Sequence, residues 1–244
     1  MVPPPDFFEP SEAELSRFKK ALAACYAFPF IDGIEDYVVE AILEYAKGID
    51  GVDPMSDTRT KKLYDVVDES NHIGWSVKSI QTTNIQNRNI ELVIQRADIF
   101  KKAEELGFRS LSLDSPTEDL GAALIKHWGD KVKQDAIEQN VQNRRIFIML
   151  KSPKPSLKVA LFEAPLIVHS PNSLIWEWTD ESRKGLQGKD NQTGRIVHRW
   201  YPGQKQLFES FTLPEEIEYF TIDSTRLRKE EAIDLVLEHL QEQQ

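Results

Sequence analysis

Apolar positions recur at helical spacing along five stretches of the chain. Ser11, followed three residues later by Glu14, carries the reciprocal capping signature of a helix start, and this helix runs to about Ala27. A second helix spans about Ile34 to Lys47, with Ile34, Tyr37, Val38, Ala41, Ile42 and Tyr45 on one face and Gly48 as its stop. A third is expected from Asn89 to about Leu106, its apolar face being Ile90, Val93, Ile94, Ala97 and Phe100. A fourth begins at Ser115-Pro116-Thr117-Glu118 and reaches about Asn140. The last, acidic and amphipathic, starts near Lys229 with Ala232, Ile233, Val236, Leu237 and Leu240 on one face, to dock on the core or on a second subunit.

Between these helices lie runs with strand character. Leu63–Asp68 and Ile73–Ile80 are rich in Val, Ile, Tyr and Trp, and Glu69-Ser70-Asn71-His72 between them has turn chemistry. Ser110–Leu113 is a short strand candidate. Residues 144–150 and 157–168 are nearly continuous apolar runs, as in buried strands. Residues 176–206 form a loop-and-hairpin region, and a last strand is expected near Ile217–Ile222. The segment Asp50–Thr60 reads as a loop. Together these elements predict one mixed α/β domain over residues 1–244, with a central mixed sheet flanked by helices.

The hairpin brings candidate chemistry with it. If residues 69–72 form the turn, Asp68 pairs with Ile73, Val66 with Trp75 and Asp65 with Ser76. Alternation then puts Asp65, Ser76 and Lys78 on one face and Trp75 and Val77 on the other. Glu91 follows twelve residues or so after Lys78, in the first turn of the expected third helix. Two carboxylates and a lysine suit a magnesium ion, which binds through one or two acids plus substrate phosphates. The lysine would stabilise phosphate charge or help deprotonate a water. On the plainer reading, Asp65 and Lys78 are a solvated cross-strand ion pair and Glu91 a helix N-terminal charge.

This hairpin resembles the core of the PD-(D/E)XK nuclease superfamily, in particular type II restriction endonucleases. In that family an aspartate ends one strand, an acid-x-lysine triplet lies on the next, and a helix follows. Asp65 matches the first aspartate and Lys78 the lysine; Ser76 departs from the pattern, because an acid normally stands there. Ser76-Val77-Lys78 followed by Glu91 resembles a variant in which the missing carboxylate comes from the following helix. The family often adds a glutamate from a preceding helix, a role open to Glu35 or Glu40, with Glu35 at the border of the apolar face and Glu40 further toward solvent. The resemblance implies a restriction-endonuclease-like α/β fold with its catalytic core in about residues 30–110. It implies Mg2+ held by Asp65, Glu91 and Glu35, water activation by Lys78, Ser76 beside the metal, duplex DNA as substrate, and a homodimer.

Composition modifies this picture in two places. The formal charge of −10 argues against a general nucleic-acid coat, so DNA contacts must come from local concentrations of basic and amide side chains. Two such places stand out. Arg144 and Arg145 open an interval with Lys151, Lys154 and Lys158 and no acid. Residues 170–210 form the candidate recognition region, with Lys184, Gln187, Lys189, Asn191, Gln192, Arg195, His198 and Arg199 as side chains suited to phosphates or to base edges; Trp176, Trp178 and Trp200 there read as packing residues. The single Cys25 excludes an intrachain disulfide framework, no run approaches transmembrane length, and cytoplasm is the expected compartment. Phosphate-cradling glycine loops, zinc spacings and nucleophile elbows are absent.

Overall fold

The computed structural model describes residues 7–30, 33–50, 62–153, 157–222 and 225–242. Nearly all of the expected 50–60 loop, and Lys154, lie outside these. In chain order the elements are α1 (Glu12–Ala27), α2 (Asp36–Lys47), β1 (Val66–Asp68), β2 (Ile73–Gln81), β3 (Asn89–Arg96), α3 (Thr117–Glu138), β4 (Asn143–Lys151), β5 (Lys158–Pro165), β6 (Leu174–Trp178), β7 (Leu186–Asp190), β8 (Ile196–Tyr201), β9 (Gln206–Thr212), β10 (Phe220–Thr221) and α4 (Lys229–Glu242). The class is mixed α/β, but the strands form two five-stranded sheets where one central sheet was expected. The chain divides into two compact units and passes repeatedly between them. The first holds Phe7–Ile85, Arg145–Ala164 and Glu218–Gln244; the second holds Gln86–Arg144 and Pro165–Ile217.

In the first unit the sheet order is β1-β2-β4-β5-β10. Ser11 and Glu14 form the expected capping box of α1, and Gly48 ends α2 in the left-handed conformation at φ 71°. Phe18, Leu22 and Tyr26 of α1 and Val39, Ile42, Leu43 and Ala46 of α2 form one core with Val66, Trp75, Val77, Phe147, Met149 and Val159. Strand alternation therefore assigns the helices to one sheet face and leaves Ser76 and Lys78 on the other.

The helix-side core also encloses a charge cluster. Glu163 of β5 accepts from Lys47 at 2.8 Å and from Arg145 at 2.5 Å, and Glu14 lies 3.2 Å from Lys47. The Arg145 guanidinium stacks over Phe8 at 4.2 Å. Burial raises the Glu163 pKa, but hydrogen bonds from Lys47 and Arg145 outweigh it and hold the carboxyl below its usual range. Arg145 is thus a structural cation, not the phosphate contact expected of it.

The second unit is an antiparallel sheet in the order β3-β9-β8-β7-β6. α3 packs on it so closely at β6 that a Cβ on Gly121 would lie 2.2 Å from the Trp176 ring. The expected helix at 89–106 is instead β3 followed by turns, and 110–113 is not a strand. Ile90, Val93, Ile94 and Ala97 fit a helical stripe, yet the same residues alternate: Leu92 and Ile94 are buried while Glu91 and Val93 are exposed. β-Branched content and the ladder to β9 decide for the strand. A bulge between Val93 and Gln95 then turns Gln95 inward, 3.3 Å from His127 of α3. The 176–206 region, read as loop and hairpin, supplies three full strands.

Candidate functional site

The hairpin forms in the expected register, with Val66 opposite Trp75 and Asp68 opposite Ile73. Its turn is organised by Asp68, whose carboxylate accepts from the Ser70 hydroxyl at 2.6 Å and from the Asn71 amide N–H at 3.0 Å, while His72 adopts φ 54°. Past β1 the Asp65 N–H donates to the Trp75 carbonyl at 2.9 Å, one residue out of the β1–β2 register, so Asp65 shares Trp75 with Val66 and the expected pairing of Asp65 with Ser76 does not form. The Asp65 carboxylate accepts from the Val77 N–H at 2.7 Å. That bond fixes the carboxylate against β2.

Ser76 is buried, and its hydroxyl has no hydrogen-bond partner. Lys78 is half-buried and makes no hydrogen bond or ion pair with any described residue. The Asp65–Lys78 ion pair of the plainer reading does not form, and the Lys78 amine is uncommitted among the described residues.

The other two expected carboxylates stand elsewhere. Glu35 is the exposed N-cap of α2 and lines a polar cleft of about 520 Å3 with Asp36, Gln81, Lys151 and Ser152. α2 covers the sheet face opposite Ser76, and Gln81 lies five residues along β2 from Ser76, roughly 16 Å by strand rise. Glu35 cannot join Asp65. Glu40, expected toward solvent, is buried. In the same cleft Lys151 donates to the Ile34 carbonyl at 2.9 Å, and burial lowers its pKa against the pull of Asp36 and Glu35.

Glu91 lies on β3 of the second unit, not on a helix following the hairpin. Its carboxylate pairs with Arg199 at 2.8 Å and accepts from the Ser210 hydroxyl at 3.4 Å. Among the described residues no three His, Cys, Asp or Glu side chains come together as a metal-holding group.

The recognition candidates separate onto two faces of the second sheet. Register pairs run a single row across all five strands on its outer face: Glu177, Gln187, Arg199, Phe208, Val93. Gln187 donates to Glu177 at 2.8 Å, Lys189 pairs with the same carboxylate, and Arg199 pairs with Glu91. Glu177 at one end of the row, and Glu91 two residues from its other end on β3, each hold a cationic or amide side chain in place, and the Arg199 Nε–H remains without a partner among the described residues. Arg195 donates to the Thr212 hydroxyl at 2.7 Å; Asn191 and Gln192 occupy the β7–β8 turn, where the Asp190 carboxylate accepts from the Thr193 N–H at 2.7 Å. Lys184 and Arg144 are exposed.

His198 faces the other way. It is fully buried on the inner face, stacked parallel to Trp176 at 6.4 Å, and cannot meet DNA. Burial, and then the charge of His169, push its pKa down to about 3, so it is neutral; Nδ1 lies 3.3 Å from the Phe208 carbonyl and Nε2 has no partner. Its cross-strand neighbour Glu209 is also buried, which raises that carboxyl to about 8, and His169 stands 4.0 Å from it. Glu209 and His169 were not singled out from sequence. The signal was there for Glu209, which alternates with Leu207 and Phe211 in β9. A comparison of the chain with family models, curated proteins and solved structures finds no matching family and no significantly similar protein or structure.

Proposed function

We propose that the chain is a magnesium-dependent endonuclease of the type II restriction class, hydrolysing phosphodiester bonds of duplex DNA at a specific short sequence. The observation that carries this reading is the hairpin itself, where the Asp65 carboxylate is tethered to the Val77 N–H of β2 and the next residue, Lys78, makes no side-chain hydrogen bond or ion pair with any described residue. The donor set fits a magnesium ion that keeps most of its waters and takes one protein carboxylate plus a substrate phosphate. When bound, such an ion supplies charge neutralisation at the scissile phosphate and a more acidic water. Asp65 holds its carboxylate in place through the Val77 amide. Lys78 orients the attacking water or offsets phosphate charge, and Ser76 offers a hydroxyl beside it.

Base contacts fall to the outer face of the second sheet, through Gln187, Lys189, Arg195 and Arg199, with Lys184 and Arg144 toward phosphates. The chain's acidity does not weigh on that unit, since residues 86–144 and 165–217 carry 15 Lys and Arg against 17 Asp and Glu, a net −2 out of −10. Such an enzyme works in the cytoplasm as a homodimer on a two-fold DNA site; no described helix is long and apolar enough to cross a membrane. A second reading, a DNA-binding module without catalysis, draws on the single carboxylate at the hairpin.

Incubation of the protein with unmethylated phage DNA, with magnesium and with EDTA, separates these. Discrete bands that require magnesium and vanish in Asp65→Asn and Lys78→Ala support the proposal. A magnesium-dependent smear indicates a repair or structure-specific nuclease. Retarded but uncut DNA selects the binding module. Asn at position 65 still accepts the Val77 N–H, so loss of cleavage in that variant is not loss of the hairpin.

A further inference from the structure

The start of α4 is tied down and the rest of it stands clear. The Leu227 N–H donates to the Ala27 carbonyl at 3.0 Å, Glu231 caps the Arg228 N–H at 2.8 Å, and Ala232 is fully buried. Beyond Ala232 every described residue is exposed, and Ile233, Val236, Leu237 and Leu240 form one apolar stripe at helical spacing, each 45–51 % accessible.

Charge is distributed unevenly about this stripe. Glu230, Asp234 and Glu238 succeed one another at i+4 along one edge of it, beside Ile233 and Leu237. All three are exposed, and their carboxylates make no hydrogen bond or ion pair with any described residue. Like charges at i+4 destabilise a helix, and one of 14 residues is marginal on its own. An uncovered stripe and an unneutralised acidic row therefore lie side by side. One kind of occupant relieves both, an apolar ridge edged by lysine or arginine.

Other occupants fail on the same charges. Interfacial membrane helices and nucleic-acid contacts rely on lysine and arginine, and the acidic row repels anionic lipid and phosphate alike. A second copy of α4 brings a second acidic row. We propose that α4 is the docking face for a partner protein, which meets it with an amphipathic helix carrying lysine or arginine along the edge of its apolar face. The partner's apolar side chains cover Ile233, Val236, Leu237 and Leu240, and its cations lie against Glu230, Asp234 and Glu238. The helix is about 21 Å long, so the contact falls below the roughly 800 Å2 per partner of a standard interface and belongs in the micromolar range. Its ion pairs are exposed, so added salt weakens it. This inference stands on α4 alone and does not depend on the nuclease reading.

The probe is a labelled synthetic helical peptide with leucine at the i, i+3, i+4 and i+7 positions and lysine elsewhere, titrated with the full chain by fluorescence anisotropy. It binds saturably, and more weakly at high salt. A peptide with glutamate in place of lysine, and one with serine in place of leucine, each bind at least about tenfold more weakly. Leu237→Asp loses at least about tenfold in affinity for the lysine peptide although it adds negative charge, which separates docking on the stripe from general attraction to an acidic protein. Leu237 is exposed, so urea unfolding of this variant matches the wild type. Equal binding by the wild type and Leu237→Asp, or no saturable binding, overturns the inference. So does a wild type that sediments as a dimer without peptide and is dissociated by Leu237→Asp, because a second copy then occupies the stripe.

Discussion

Glu209 gives the second unit a stability that depends on pH in a calculable way. Its carboxyl is fully buried on the inner face of the sheet, which raises its pKa from 4.5 to about 8. The folded state therefore holds a proton that the unfolded chain releases above pH 4.5, and stability falls as pH rises, by ~1.4 kcal/mol per unit, until about pH 8. His198 acts in the opposite sense. Its pKa falls from 6.5 to about 3, so the unfolded chain binds the extra proton and stability is lost as pH drops below 6.5. The two slopes cancel between pH 4.5 and 6.5, which leaves a plateau there and a falling branch from 6.5 to 8 of about 2 kcal/mol. Glu209→Gln keeps the shape and removes the proton. Urea unfolding of both proteins at intervals from pH 5 to 8 should show the wild type losing stability relative to the variant throughout, flat against a rising variant up to pH 6.5 and falling against a flat one above it. Parallel curves through pH 8 would refute the argument, because they would mean that the carboxylate ionises in the fold at no penalty.

Four further perturbations follow from the packing and the charge pairs. Gly121→Ala puts a methyl group into the Trp176 ring at 2.2 Å and should lower stability by about 1–3 kcal/mol; an unchanged melting temperature by calorimetry would show that α3 can shift away. Glu163→Gln leaves Lys47 and Arg145 without their shared carboxylate and should destabilise by about 3–5 kcal/mol, read by urea unfolding, with a small loss counting against the cluster. If the protein cuts DNA, Arg199→Ala should relax its preference at one base pair by about 1–3 kcal/mol, measured by sequencing cut sites. Glu91→Gln should retain magnesium-dependent cleavage, since its carboxylate serves Arg199; abolished cleavage would return Glu91 to the metal.

The parts of the structure that sequence foretold are those specified locally. The capping box at Ser11, the left-handed Gly48 and the Asp68 turn each depend on a few neighbouring residues, and the turn alone fixes the register that sets Val66 opposite Trp75; the slip at Asp65, just past that ladder, breaks the expected pairing with Ser76. Residues 89–96 were misread because Ile90, Val93 and Ile94 fit a 3.6-residue period while Ile90, Leu92 and Ile94 fit a period of 2, and what decides between them is β9, more than a hundred residues away. The same error carried Glu91 into a metal site. Glu35 failed for a different reason: a border position on a helix does not tell which face of the sheet that helix covers. His198 was grouped with Arg199 by adjacency, although neighbours on a strand point to opposite sides.

The passage of the chain back and forth between the two units bears on how the protein is made. β1 and β2 emerge from the ribosome long before β4, and β5 waits for β10, more than fifty residues later. Until then β2 and later β5 are open edges beside apolar surface, the kind of intermediate that invites aggregation. Neither unit corresponds to a continuous gene fragment, so dissection by truncation exposes such edges permanently. Circular permutation, which keeps every strand while moving the termini, is the better route to separating the contributions of the two units.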